Sequence, residues 1–235
     1  MRFDVLTIFP HIFDSYLRES MIKRALKRGL IEIHLWDLRK WGIGPRKKVD
    51  DRVYGGGPGM VMRIEPIARA IGSILKLKTQ NSKLKTKVKI ILLSPAGKQF
   101  AAVEAKQWAK KYEQIIFICG RYEGIDARLV PILKAESYNL EVISIGPYVL
   151  SGGELPALVM LETIARHIPG FLGKLEYLEE SRDGIGVPVY TRPEEFRYRG
   201  ADKAFKIRKV PKVLLSGDHQ KIKIWRRQKC KKCKN

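Results

Sequence analysis

The sequence predicts an α/β fold built on a parallel sheet. Three observations carry that expectation. Val88–Leu93, Ile115–Cys119 and the run opening at Val142 are short, apolar and rich in β-branched residues, the pattern of strands buried on both faces. A helix-period stretch, Lys98–Tyr112, lies between the first two, which makes a βαβ unit and so parallel neighbours. Each run also ends in glycine, proline and hydrogen-bonding residues, and ligands of open α/β sheets sit beyond the carboxyl ends of the strands.

The elements follow in order. Phe3–Phe9 reads as a strand stopped by Pro10. His11–Arg28 places Ile12, Tyr16, Leu17, Met21, Ile22, Ala25 and Leu26 on one helical face, with Gly29 as its stop. Leu30–Trp36 reads as a second strand. The polar connection from Asp37 to Met60 holds Asp50-Asp51-Arg52 and Tyr54-Gly55-Gly56-Gly57-Pro58-Gly59. Loops this long inside a compact domain are functional or mobile, and this one reads as a lid. It is not a phosphate loop: no Gly-Lys-Ser/Thr follows it, and no GxGxxG joins a strand to a helix.

Glu65–Leu75 reads as a helix and Lys76–Lys87 as a lysine-rich surface loop. Val88–Leu93 then runs into Ser94-Pro95-Ala96-Gly97, and Ile115–Cys119 into Gly120-Arg121-Tyr122-Glu123-Gly124-Ile125-Asp126. The run from Val142 breaks at Gly146-Pro147 and turns again at Ser151-Gly152-Gly153. Three such loops at neighbouring strand ends predict a pocket. The helix that follows, Glu154–His167, is apolar almost all round, so it belongs in the core or in a dimer interface. Phe171–Tyr190 reads as a linker, and Thr191 opens a small basic segment containing Trp225.

The whole chain bounds the function. Its 235 residues suffice for one sizeable domain and a small second one. Lys and Arg number 46 against 24 Asp and Glu, a net charge of +22 that points to a polyanion. From Lys203 to Asn235 there are thirteen Lys/Arg and one acid, Asp218, without an amphipathic aromatic or leucine face, which favours nucleic acid over a membrane. No apolar run reaches bilayer length and Met1-Arg2-Phe3-Asp4 leads straight into a strand, so no membrane partner is expected and the protein reads as cytoplasmic. Three cysteines make no disulfide framework; Cys230 and Cys233 have the spacing of half a zinc site, and no metal is expected.

Four motifs stand in an order that resembles one family. They are Tyr54-Gly55-Gly56-Gly57-Pro58-Gly59-Met60, Gly120 to Asp126, Tyr148-Val149-Leu150-Ser151-Gly152-Gly153-Glu154-Leu155-Pro156, and Tyr190-Thr191-Arg192-Pro193. Together they resemble the bacterial tRNA (guanine-N1)-methyltransferases of the SPOUT class that modify guanine 37, from residue 1 to about Trp225. The resemblance implies a deeply trefoil-knotted domain over residues 1–170, a linker over 171–190 and a shortened tRNA-binding segment over 191–235. It also implies S-adenosylmethionine as methyl donor, a homodimer, and tRNA with guanine 37 as substrate. The donor site it implies is Leu93, Ser94, Pro95, Gly120, Tyr122, Glu123, Ile145, Gly146, Pro147, Tyr148, Val149, Leu150, Gly152, Gly153 and Pro156.

The chemistry needs a base for the guanine N1 proton and a cation for charge developing at O6. The family's arginine matches Arg166. Its linker aspartate, part of an Asp-Ser pair, aligns best with Glu180-Ser181, so Glu180 is the expected base and Asp183 the alternative. Pro147 stands where the family usually carries an aspartate, which removes a charge and an N–H donor from the donor loop. The chain stops soon after Trp225, and the tail from Arg226 is expected to supply phosphate contacts. Two other readings are an RNA-binding protein that kept the fold and lost catalysis, and a related knotted methyltransferase acting on another base.

Overall fold

The computed structural model describes residues 1–76, 87–173, 178–179 and 185–230. The chain divides into two compact units, Met1–Phe171 and Leu172–Asn235.

The first unit is organised on five parallel strands. These are β1 (Arg2–Thr7), β2 (Glu32–Asp37), β5 (Val88–Gln99), β6 (Gln114–Cys119) and β7 (Leu140–Ser144), in the order β2-β1-β6-β5-β7. All four pairings are parallel. Every residue of β6 is buried, as a central strand covered on both faces requires. On one face Leu6, Ile90, Leu92, Ile116 and Ile118 pack with α3 (Ile64–Lys76) and α5 (Leu129–Ala135). The alternate residues, among them Phe3, Val5, Ile115 and Phe117, point to the other face. That side carries α4 (Ala102–Lys111) and α6 (Glu154–Ala165), which pack on each other, with α6 also against β1 and β6.

The buried charges are held by specific partners. Asp4 is fully buried and accepts from Arg2 Nη2, Trp36 Nε1 and Gln114 Nε2, each at 2.7 Å. Lys89 is equally enclosed; it pairs with Glu141, reaches Asn139 Oδ1 at 3.1 Å, and lies 5.2 and 5.6 Å from the ring centres of Trp108 and Tyr112. An ion removed from water needs such compensation on all sides.

Several expected elements differ in detail. The single helix expected over His11–Arg28 is a 3-10 turn (Pro10–Phe13), α1 (Asp14–Leu17) and α2 (Ser20–Lys27). The break falls where Glu19 is extended and Ser20 has a φ of 49°. It lets Tyr16 bond Glu162 of α6 while Ile22 and Ala25 turn into the core. The long connection after β2 is not featureless: it holds a 3-10 turn, Leu38–Trp41, and an antiparallel pair, β3 (Asp50–Arg52) with β4 (Met60–Met62). Most of the lysine-rich loop expected at Lys76–Lys87 lies outside the described residues. No helix among the described residues is long and apolar enough to cross a membrane.

The second unit contains an antiparallel ribbon, β8 (Glu195–Arg199) with β9 (Phe205–Lys209), then α7 (Lys212–Leu215) and α8 (His219–Lys229). Asp218 caps α8 by accepting from the backbone N–H groups of Gln220 and Lys221. Tyr190 and Trp225 pack ring against ring, 6.2 Å between centres.

Candidate active site

Three chain bends meet at the carboxyl edge of the sheet. The first is a loop inside β5: its pairing with β7 jumps from Leu93 to Lys98, and Ser94–Gly97 bulge out between. The strand therefore does not end at Leu93 as expected; it resumes to Gln99. Gly97 makes that possible, because a Cβ there would stand 2.5 Å from the Ile143 backbone nitrogen. The second bend follows β6, from Gly120. The third follows β7 and returns to the second, where the Gly153 N–H donates to the Gly120 carbonyl at 2.9 Å. A Cβ on Gly153 would stand 2.7 Å from Cys119 Cα, so backbone lies on backbone at this crossing.

A cavity of about 550 Å³ opens between the bends, lined by Leu92–Ala96, Gly120–Ile125, Val130, Val142–Gly146, Tyr148–Gly153 and Pro156. Of the fifteen residues expected at a donor site, fourteen line it. Pro147 does not; it is exposed. The cavity also takes in residues outside the expected donor-site set, notably Leu92, Arg121, Ile125, Val130 and Val142.

The wall at Arg121 is locked by charge. Glu154, in the first turn of α6, is 1% exposed and accepts from Thr7 Oγ1 at 2.7 Å and from Arg121 Nε at 2.9 Å. Arg121 Nη2 lies 2.9 Å from the same carboxylate, and its guanidinium sits 4.7 Å above the centre of the Phe9 ring. One buried carboxylate thus ties the end of β1, the loop after β6 and the start of α6. From sequence Glu154 reads only as an acid in a first helical turn; its burial is the new finding. The neighbouring Cys119 thiol is pushed well above its usual range, by burial first and then by the Glu154 charge, which keeps it unreactive.

The glycine-rich lid is anchored to the same wall. Glu123 N–H donates to the Met60 carbonyl at 3.0 Å, and Met62 N–H to the Gly124 carbonyl at 2.9 Å. Gly59 has a φ of +97°, and a Cβ there would stand 2.6 Å from Glu123 Oε1. Ahead of these anchors in the chain, Tyr54 is 94% exposed.

Of the expected catalytic residues, Arg166 does not line the cavity. Arg166 caps the carboxyl end of α6, its N–H donating to Glu162, whereas Pro156 in the first turn lines the cavity. At 1.5 Å rise per residue, the twelve steps from Glu154 to Arg166 span about 18 Å. Glu180, Ser181 and Asp183 lie outside the described residues, as does Cys233. Among the described residues no group of three His, Cys, Asp or Glu is placed to hold a metal ion.

A larger groove of about 1110 Å³ lies in the second unit, lined by Val187–Glu194, Leu214, Leu215 and Arg226 among others. Size does not make it the chemical site: its lining is an extended segment and two short helices of the second unit, with none of the strand-end motif residues.

Comparison with known proteins fits this geometry. The profile of the family described as tRNA (Guanine-1)-methyltransferase TrmD matches residues 1–234. The chain is 44% identical to a tRNA (guanine-N(1)-)-methyltransferase of Clostridioides difficile, over 97% of this chain and 91% of that one. It is 45% identical to the protein so named in Thermomicrobium roseum (97% and 78% covered), and 41% identical to that of Mycoplasma capricolum (97% and 86%). The chain belongs to the tRNA (guanine-1)-methyltransferase family.

Proposed function

We propose that this member of the tRNA (guanine-1)-methyltransferase family transfers a methyl group from S-adenosylmethionine to N1 of guanine 37 of tRNA. The observation that carries the reading is the meeting of three strand-end bends around one cavity in a chain whose whole length matches the family.

The cavity fits the donor. Its volume is that of a site for a ligand of nucleoside size. Leu92, Ile125, Val130 and Val142 offer apolar surface for a base, and the bends at Gly120 and Ile145–Gly146 offer backbone groups for polar edges. A side chain at Gly146 would meet the Tyr148 ring at 2.1 Å, so that bend keeps its backbone bare. The donor, when bound, supplies an electrophilic methyl carbon. Leu93–Ala96 and Tyr148–Leu150 would hold the donor, and most of the rate gain in such a transfer is positioning. Glu180 takes the N1 proton, with Asp183 the alternative base, and Arg166 faces the negative charge that develops at O6.

Arg166 reaches a donor site only if a second copy brings it there, because in its own chain it stands a helix length away. Leu155 and Val159 are 57% and 48% exposed on the otherwise apolar α6, and Ile12 and Tyr16 are also open. Such a face supports a homodimer with sites shared between copies. The close crossings at Gly97 and Gly153 support the knotted chain path that the resemblance implies.

The test is transfer of labelled methyl to tRNA bearing guanine at position 37, against the same tRNA with adenine there. Methylation of the first alone is expected; no transfer to either would end the reading. Within it, Glu180→Gln should abolish transfer and Asp183→Asn should leave it; the opposite result reassigns the base.

A further inference from the structure

The ribbon β8–β9 is unlike any other strand pair among the described residues. All five residues of β9 are exposed, and of β8 only Tyr198 is partly covered. A two-stranded ribbon with both faces in water contributes little to its own stability. Such a surface is explained by what it touches.

Its register sorts the side chains. Arg197 opposes Ile207 and Arg199 opposes Phe205, so these four share one face. The two guanidiniums lie 4.7 and 5.4 Å from the centre of the Phe205 ring, which is itself 62% exposed. The other face carries Phe196 stacked on Tyr198, with Arg208 opposite Phe196. Over 195–209 there are six Lys/Arg and two acids. Both acids are engaged by lysines, Glu195 by Lys209 and Asp202 by Lys206. Among the described residues no carboxylate pairs with Arg197, Arg199 or Arg208.

We propose that this ribbon is a contact arm for the RNA substrate, with Arg197, Arg199 and Phe205 receiving an unpaired nucleotide and its flanking phosphates. Exposed rings stack on bases, arginine planes stack and bind phosphate together, and RNA offers unpaired bases that can do both. A membrane is disfavoured because each face mixes rings with cations rather than segregating them. A protein strand docking at the edge is disfavoured because the exposed strands are studded with like charges. The inference rests on the tRNA reading above and adds a contact surface to it.

The test uses the full chain, a transcript of tRNA with guanine at position 37, and binding measured across a salt series. The double variant Arg197→Gln/Arg199→Gln should weaken binding about tenfold or more and lower the salt slope by about 1.5. Phe205→Ala should weaken binding about tenfold with the slope unchanged. Arg197→Lys/Arg199→Lys should keep the slope, which separates lost charge from a misfolded ribbon. Affinity for S-adenosylmethionine alone should stay at the wild-type value in all three. Wild-type binding and slope in the first two variants would overturn the proposal. So would a changed oligomeric state with tRNA binding intact, which would make the ribbon a protein interface. Failure of the tRNA reading shows separately, as a wild-type protein that methylates no tRNA.

Discussion

β6 and β9 are both short strands that carry a phenylalanine and isoleucine, and they have opposite fates. Gln114–Cys119 is buried at every position between two parallel neighbours, whereas Phe205–Lys209 is exposed at every position beside a single antiparallel one. In β6 the β-branched run has no charge, and helices cover both faces. In β9 cations alternate with Phe205 and Ile207, so neither face can be sealed. The same secondary structure thus serves folding in one place and offers a surface in the other.

Matched substitutions should separate the two roles. Phe117→Ala, in β6, should cost about 4 kcal/mol of stability, because the ring is fully buried and leaves a cavity. Phe205→Ala should change stability by less than about 0.5 kcal/mol. Denaturant unfolding of both variants checks the pair, and equal losses would break the comparison.

A smaller effect tests the close backbone crossings. Gly97→Ala should cost about 3 kcal/mol, since its Cβ would run into the rigid Ile143 backbone. Gly200→Ala, beside the ribbon, meets only the mobile ends of Asp202 and Lys206 and should cost under about 0.5 kcal/mol. Thermal melting curves would show the difference directly.

Glu154→Gln should come next, at about 2 kcal/mol, because it leaves Arg121 short of its anion in a largely dry place. It should also weaken S-adenosylmethionine binding measured by calorimetry, since Arg121 lines the cavity. Glu195→Gln in the ribbon, which removes an exposed partner of Lys209, should leave both readouts unchanged.

The least effect is expected from pH at Asp218. Hydrogen bonds from the Lys221 backbone and side chain hold its carboxyl below the usual range. A depressed pKa contributes stability that is present above the unfolded-state value and lost as pH falls through the folded one. Circular dichroism should therefore show α8 fraying only at the acid end of the carboxylate range, and Asp218→Asn should remove that step.

Much of the site was legible because its signals are local. Gly120-Arg121-Tyr122-Glu123-Gly124 and Ser151-Gly152-Gly153-Glu154 mark bends by composition, and fourteen of the fifteen expected donor-site residues line one cavity. The ribbon has an equally local signal, which the reading of 191 onward as a basic segment does not use: Phe196-Arg197-Tyr198-Arg199 and Phe205-Lys206-Ile207-Arg208 alternate with period two around Gly200. Pro147 adjoins its motif yet does not line the cavity, because composition marks a bend and not which of its residues face the cavity.

The sequence alone determined the α/β class, the parallel sheet, the bends and the family, since each depends on the order and periodicity of neighbouring residues. Only the tertiary structure decided that Thr7, Arg121 and Glu154 form one buried network, that Gly97 and Gly153 are pressed against other strands, and that Arg166 stands far from its own cavity. The physical reason is distance along the chain. Thr7 and Glu154 are 147 residues apart, and contacts at such separation are set by how the sheet is threaded, which no local pattern encodes.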